Sequence, residues 1–540
     1  MAHQGEPENA AERPSSPANW TRRKLLVRGG GAAIGAGALV ASGFIGYEWP
    51  RSSPGTPSPQ SPTTDSSSGG GGSTRSSGNG ESVRSYVTRP DLVPPAVTVT
   101  QSGSLDGLPP YILLANKPYG QKLVGQKGLM ILDTRGDVAW FQPITSGQVL
   151  DLKVQSYQGK PVLTWWHGET GAVYAKGDCY IADSSYNVIA TVRAGNGLRA
   201  DMHEFSITES DTALIEAFRQ HDNVDLTSLG GSSSGSVYSG VVQEIDIKTG
   251  KVLFEWDSLD HVPPELSEAT LSGTGTGTKP FDYFHINSIA VMPDGDLLIS
   301  SRNTWALYKI GRRDGAVKWR LGGKKSDFTL GDGVKFYWQH HARPHGDNLI
   351  TLFDNGDTPP EEKQSRGLLL SVDTSAKTVG LIQAFTSPSG LLAADMGSMQ
   401  LLEGKRALVG WGAEPYFTAF AADGSVLLDG QLPVGDQSYR AFAADWTGNP
   451  PDKPRVAATG TPAGGTAVYA SWNGATKVAS WQVHAGSSAS SLSVVTSQPR
   501  SGFETLIVAN DSGPYFAVTA LDSAGNALGR SDAVKSSGLS

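Results

Sequence analysis

Six stretches between residues 130 and 432 repeat one pattern, and this repetition constrains the fold more than any other feature. Each is an apolar run, a polar turn and a second apolar run: "MILDTRGDVAWFQP", "YIADSSYNVIATV", "QEIDIKTGKVLFEW", "YKIGRRDGAVKWRL", "LSVDTSAKTVGLIQAF" and "TAFAADGSVLLDGQL". Short runs of this kind around a turn read as β-hairpins. Each is preceded by another strand pair, such as "HINSIAVMPDGDLLISSR", where Pro293-Asp294-Gly295-Asp296 makes the turn. This gives six units of four strands, starting near residues 111, 150, 203, 285, 340 and 396. Such an array predicts an all-β chain with a six-bladed β-propeller over residues 88–450. A β-sandwich or β-helix is the alternative. The helix–strand alternation of doubly wound or barrel folds is missing.

Composition agrees. The 540 residues include 66 Gly and 32 Pro, with only 18% charged, a balance suited to many turns. A net charge of −8 and no Lys/Arg stripe speak against a nucleic-acid surface. The single cysteine, Cys179 in "GDCYIAD", excludes an intrachain disulfide and reads as a small buried packing residue.

Both ends of the chain differ from its middle. In "NWTRRKLLVRGGGAAIGAGALVASGFIGY", Arg22 and Arg23 precede a Gly/Ala-rich apolar run, the pattern of a twin-arginine export signal or an N-terminal membrane anchor over residues 1–49. Residues 50–87 are rich in Ser, Pro, Thr and Gly with almost no large apolar side chain, and are expected to be a disordered spacer. Residues 452–540, after the linker "GNPPDKP", read as a fibronectin type III-like β-sandwich with Trp472 as its core Trp and Tyr515, Val518 and Ala520 pointing inward. His484 is expected on its surface.

Candidate chemistry lies at the unit starts. If the first strand of each unit lines a central channel, residues there converge in space. The third unit begins "DMHEF", the fourth "FHINS" and the fifth "QHHARPH", bringing His203, His285 and His340 or His341 together. Arg302, ending the second strand of the fourth unit, lies near His285 and Asn287. An Arg among histidines marks a pocket for an oxyanion. No metal is expected: a guanidinium repels a dication, and no carboxylate stands at an equivalent position in the sequence. "DNGDTPPEE" lacks the ligand alternation of a calcium loop. "GSSSG" lies in a loop rather than between strand and helix, so it is not a hydrolase nucleophile motif. Asp354 and Asn355 read as turn formers, and His221, His261 and His345 as solvated loop residues. His167 is a further candidate to reach the channel, and Trp165, Trp166, Tyr337 and Trp338 are candidates to flank an aromatic ligand.

The words "ADMHEF", "FHINSIAVMPDGDLLISSRNTWALYKI", "VKWRLGG" and "FYWQHHARPHGDNLITLFDNG" resemble the bacterial arylsulfotransferases that do not use the nucleotide donor PAPS. The resemblance implies a six-bladed propeller and ping-pong sulfuryl transfer from an aryl sulfate to a phenol through a sulfohistidine, without a cofactor. It implies His340 as nucleophile, with His285, Asn287, Arg302 and His203 around it. Trp338, His341 and His167 are then substrate-binding candidates. The doubled histidine departs from the family word: one register step would exchange His340 for His341. A non-catalytic binder of anionic ligands and an aryl sulfate hydrolase are the competing readings.

Overall fold

The computed structural model describes residues 74–77, 81–118, 124–171, 173–356, 361–510 and 513–538. The described residues form β-strands, turns and short 3-10 turns, so the chain is all-β. The Arg22–Arg23 segment and most of the Ser/Pro/Gly tract fall outside the described residues. The end of that tract carries a ribbon, Thr74–Ser77 paired with Glu81–Arg84. Tyr86, counted in the same spacer, packs on Phe503 with ring centroids 4.1 Å apart. Among the described residues, no helix is long and apolar enough to cross a membrane.

Among the described residues, six sheets succeed one another through the repeat; their consecutive strands pair antiparallel, and the third and fifth each carry one further, parallel strand. Five begin within two residues of an expected unit start, with first strands Gln148–Tyr157, Phe205–Ile207, Ile286–Val291, His340–His345 and Ser398–Leu401. These are the second to sixth sheets. The first departs from expectation. Tyr111–Pro118 is its second strand, and Asp436–Ala444, from the far end of the repeat, pairs alongside it. A pairing across more than three hundred residues leaves no local hairpin signal. Thr98–Gln101 adds a strand to the edge of the sixth sheet.

The outer turns share one device. Asp133, Asp183, Asp246, Asp314, Asp373 and Asp423 each accept backbone N–H bonds within the turn through a side-chain oxygen. An Asx turn of this kind stabilises the reversal locally. Gly136, at φ +84°, completes the first one. The apolar runs then pack sheet against sheet. Separate core clusters join each sheet to the next, and another joins the sixth to the first through Leu408, Leu428, Ile112 and Met130. Cys179 is fully buried in the cluster between the second and third sheets, where burial pushes its thiol up. Burying each Leu or Ile of these clusters contributes about 1.5–3 kcal/mol.

Four of the first strands carry a register shift: at Leu150/Lys153, Ile286/Ser288, His340/Arg343 and Ser438/Ala441. Such bulges re-aim side chains by breaking strict alternation. They fall at Asp151, Asn287, His341 and Arg440, and Arg440 bonds both Asp151 and the Asn287 carbonyl.

Beyond residue 452, Arg455–Gly460, Thr466–Ser471 and Glu504–Ala509 form one sheet. Ser480–Ser488, Ser491–Pro499, Tyr515–Leu521 and Ala527–Arg530 form a second. The two share one core. Its fully buried Trp is Trp481, not Trp472, which is only partly buried. Phe516, Val518 and Ala520 point inward, and Tyr515 does not, because alternation puts it on the other face. His484 is buried and bonds Thr519 Oγ1 at 2.9 Å rather than lying on the surface.

Candidate active site

His340 opens the fifth sheet and is 1% exposed. Its Nδ1 lies 2.9 Å from the Trp338 carbonyl and 2.7 Å from Asn355 Oδ1. The Asn355 amide is oriented by its Nδ2, which donates to the carbonyls of Ala393 and Met396. Both atoms facing Nδ1 are therefore acceptors. The proton is fixed on Nδ1, and Nε2 keeps its lone pair. Burial, then the charges of Arg302 and His203, hold the ring well below the usual histidine range. His340 is a buried, neutral imidazole with a defined tautomer.

His285 precedes the first strand of the fourth sheet at φ +52°. Its Nδ1 lies 2.5 Å from Asp282 Oδ2. Burial lowers its pKa against the pull of Asp282, and Arg302 and His203 lower it further. Its ring lies 5.1 Å from that of His203. His203 behaves in the opposite way. Its Nδ1 bonds Asp201 Oδ1 and lies 3.3 Å from Glu216 Oε1. Burial disfavours its charge, but Asp201 and Glu216 together push the ring up to about 10. Burial also pushes Glu216 up to about 8. At neutral pH His203 is thus an imidazolium paired with Asp201, its Nε2–H on the opposite ring edge.

Asp201, His203 and Glu216 present one ligand atom each within 4.8 Å of one another, all buried. They are the described residues that could hold a cation. The sequence argument that no carboxylate stands beside the histidines is therefore wrong. Asp201 is two residues before His203, and Glu216 comes from the neighbouring strand, out of reach of a strand-start comparison.

The guanidinium of Arg302 lies 3.5 Å over the Trp338 ring. Asn287 Nδ2 donates to the Gln339 carbonyl at 2.7 Å, tying the fourth sheet to the residue before His340. Beneath these groups lies a buried ion network. Arg440 donates to Asp151 Oδ1 at 2.9 Å, to Glu204 Oε2 at 3.4 Å and to the Asn287 carbonyl at 2.9 Å. Lys153 joins Asp151 and Glu204, and Arg343 also pairs with Glu204.

The five central sequence candidates, His203, His285, Asn287, Arg302 and His340, thus come from three consecutive strand starts and a strand end and meet around His340. His341 does not share that side. At φ +54° within the bulge it bonds the Met399 carbonyl, packs on Phe442 and lines a separate cavity with Lys153 and Arg343. His167 also stands apart, its Nε2 on the Ser146 carbonyl. Trp165 stacks on Tyr180, and Trp166 donates to the Ala200 carbonyl; both are core residues. Tyr337 packs on Trp305. The aromatic ring against His285 is instead Phe218, at 5.8 Å. His221, His261 and His345 are not solvated loop residues: they bond Asp257, stack on Trp256 and bond Thr351. Asp354 does organise its turn, accepting from the N–H of Tyr337 and Gly356. Asn355 does more than that through His340.

Sequence reading missed Asp201, Glu216, Asp282, Asn355 and Arg440. "ADMHEF" and "FDYFH" held the signal for Asp201 and Asp282, since a carboxylate two or three residues before a histidine can reach its Nδ1.

No match is found among curated protein sequences. Solved structures give weak likenesses. A Bacteroides caccae protein of unknown function has a TM-score of 0.37 at 10% identity, covering 62% of this chain and 99% of its own. Virginiamycin B lyase from Staphylococcus aureus has a TM-score of 0.32 at 8% identity, covering 63% and 99%. A Lactobacillus plantarum protein has a TM-score of 0.32 at 13% identity, covering 74% and 100%. Likeness at this level carries no argument about chemistry. The sequence family is informative: residues 153–432, just over half the sequence, match the arylsulfotransferase (ASST) family, and the chain belongs to it.

Proposed function

We propose that the chain is a PAPS-independent aryl-sulfate sulfotransferase that transfers a sulfuryl group through His340. The observation that carries this reading is the state of His340: a buried neutral imidazole with Nδ1 bonded to two acceptors and Nε2 left as the nucleophile. Nε2 attacks the sulfur of an aryl sulfate, the S–O bond to the ring breaks, and the phenolate leaves. Because Nδ1 keeps its proton, the sulfurylated ring is cationic and a good leaving group for the second step. The phenolic acceptor then attacks sulfur and regenerates His340. His285, held neutral at its Asp282 partner, takes the acceptor's proton and returns it to the leaving phenolate in the reverse direction. Arg302, Asn287 and the His203 imidazolium serve the sulfuryl oxygens as charge redistributes.

On this reading the six sheets are the blades of a β-propeller closed by Asp436–Ala444, supported by the cyclic sharing of core clusters. Residues 452–540 are a fibronectin type III-like module, and the Arg22–Arg23 segment exports the chain by the twin-arginine route, leaving it secreted or tethered on the outer face. Incubation with p-nitrophenyl sulfate, with and without phenol, tests the activity. Phenol-dependent nitrophenolate release, with formation of phenyl sulfate, supports transfer. Phenol-independent turnover would make it a hydrolase, and no release from any aryl sulfate would make it a binder.

A further inference from the structure

We infer that the far end of the central strands holds a second ligand site, for a small organic anion, separate from the His340 site. The first strands start at the histidines and run away from them. Further along the same strands is a cavity of about 320 Å³, within the range of small-molecule sites. Second, third, fifth, sixth and closing strands all line it. The Arg440–Asp151–Glu204 network lies between the two ends and occupies the centre.

The chemistry of the lining defines the ligand. Lys153 and Arg343 line the cavity, and behind them Arg440 completes a buried network in which three cations share two carboxylates, Asp151 and Glu204. One positive charge is therefore unbalanced in a poorly solvated region, where an anion is favoured. The side chains of Lys153 and Arg343 are 10% and 20% exposed, so both reach the cavity while anchored from behind. His341 and His345 also line it. Burial holds both rings low and neutral. His341 is tied at Nδ1 to the Met399 carbonyl, so its Nε2 carries the lone pair, and the donors to an anion are Lys153 and Arg343. Phe442, Met399 and Leu401 give the wall an apolar portion, beside the polar Gln155, Ser206 and Gln400. A charged end between Lys153 and Arg343 and an apolar body against Phe442 fit an aryl sulfonate, sulfate or carboxylate better than an inorganic ion.

Benzenesulfonate is the probe, since its C–S bond is not a transferable ester. Isothermal titration of the full chain should show saturable binding that persists in Arg302→Gln, which weakens the His340 site. Binding should fall at least tenfold in Leu401→Trp, which fills the cavity without touching its charges. Arg343→Gln gives the same loss by removing a cation, and serves if Leu401→Trp does not fold. Inorganic sulfate should bind at least tenfold more weakly than benzenesulfonate. No saturable binding, binding abolished by Arg302→Gln, binding unchanged in both cavity variants, or equal affinity for inorganic sulfate would each overturn the inference.

Discussion

Asp201→Asn isolates the electrostatic role assigned to His203. In the wild type the ring is pushed up to about 10, against ~6.5 for an ordinary histidine, a preference for the imidazolium of about 5 kcal/mol. Asp201 is the main source of that preference. Its Oδ1 also accepts the His203 N–H at 3.1 Å, and its Oδ2 the Ala175 N–H at 2.5 Å. An amide at this position places a donor against one of these groups and removes the counter-ion. Glu216 is pushed up to about 8 by burial and in part by the Asp201 charge and ionises more readily once that charge is gone, so the variant also carries Glu216→Gln. His203 should then be neutral at pH 7. Loss of a fixed donor to developing charge costs ~10²–10³-fold in rate. Stopped-flow nitrophenolate release from p-nitrophenyl sulfate without acceptor reads this step directly. The wild-type burst rate should fall as pH rises through about 10, and the variant's limb should move towards neutrality. The same linkage acts on stability. A raised pKa contributes stability that is complete below the unfolded value and lost as pH rises through the folded one. The wild type should therefore lose stability towards pH 10, and the variant should lose less. A variant burst rate within about threefold of wild type at pH 7, with an unmoved alkaline limb, would refute the role of His203.

Asn355→Leu removes an acceptor that fixes the His340 tautomer; the burst rate should drop on the order of 10²-fold or more, with circular dichroism confirming the fold. Asp282→Asn should slow transfer to phenol by ~10²–10⁴-fold, while the burst from p-nitrophenyl sulfate, whose leaving group needs no proton, stays near wild type. Arg440→Met leaves Asp151 and Glu204 short of a partner; urea denaturation should show a loss of ~3–5 kcal/mol.

The repeat was legible because each hairpin is local: an apolar run, an Asp-led turn and a second run lie within fourteen or so residues, and side-chain alternation does the rest. The closing strand Asp436–Ala444 was not, because its partner Tyr111–Pro118 lies at the other end of the repeat. The same divide runs through the site. His203, His285 and His340 stand at equivalent strand starts and could be aligned by eye. Glu216 and Arg440 reach the centre from a second strand and from the closing strand, positions fixed only by the assembled sheets. The doubled histidine shows where alternation misleads. It correctly separates His340 from His341, but a bulge with His341 at φ +54° makes the separation, and it sends His341 to the far cavity rather than to a sheet face. Trp472 and Trp481 both lie in strand-like surroundings, and only the packing of two sheets distinguishes them.

The central claim is that His340 Nε2 carries the sulfuryl group. The full chain, incubated with excess p-nitrophenyl sulfate without acceptor, quenched under alkaline conditions and digested, should yield one peptide heavier by a sulfuryl group. Fragmentation should place that mass on His340. The adduct should vanish on addition of phenol, persist in His341→Ala and be absent from His340→Ala. An adduct on His341, or turnover retained in His340→Ala, would contradict the account.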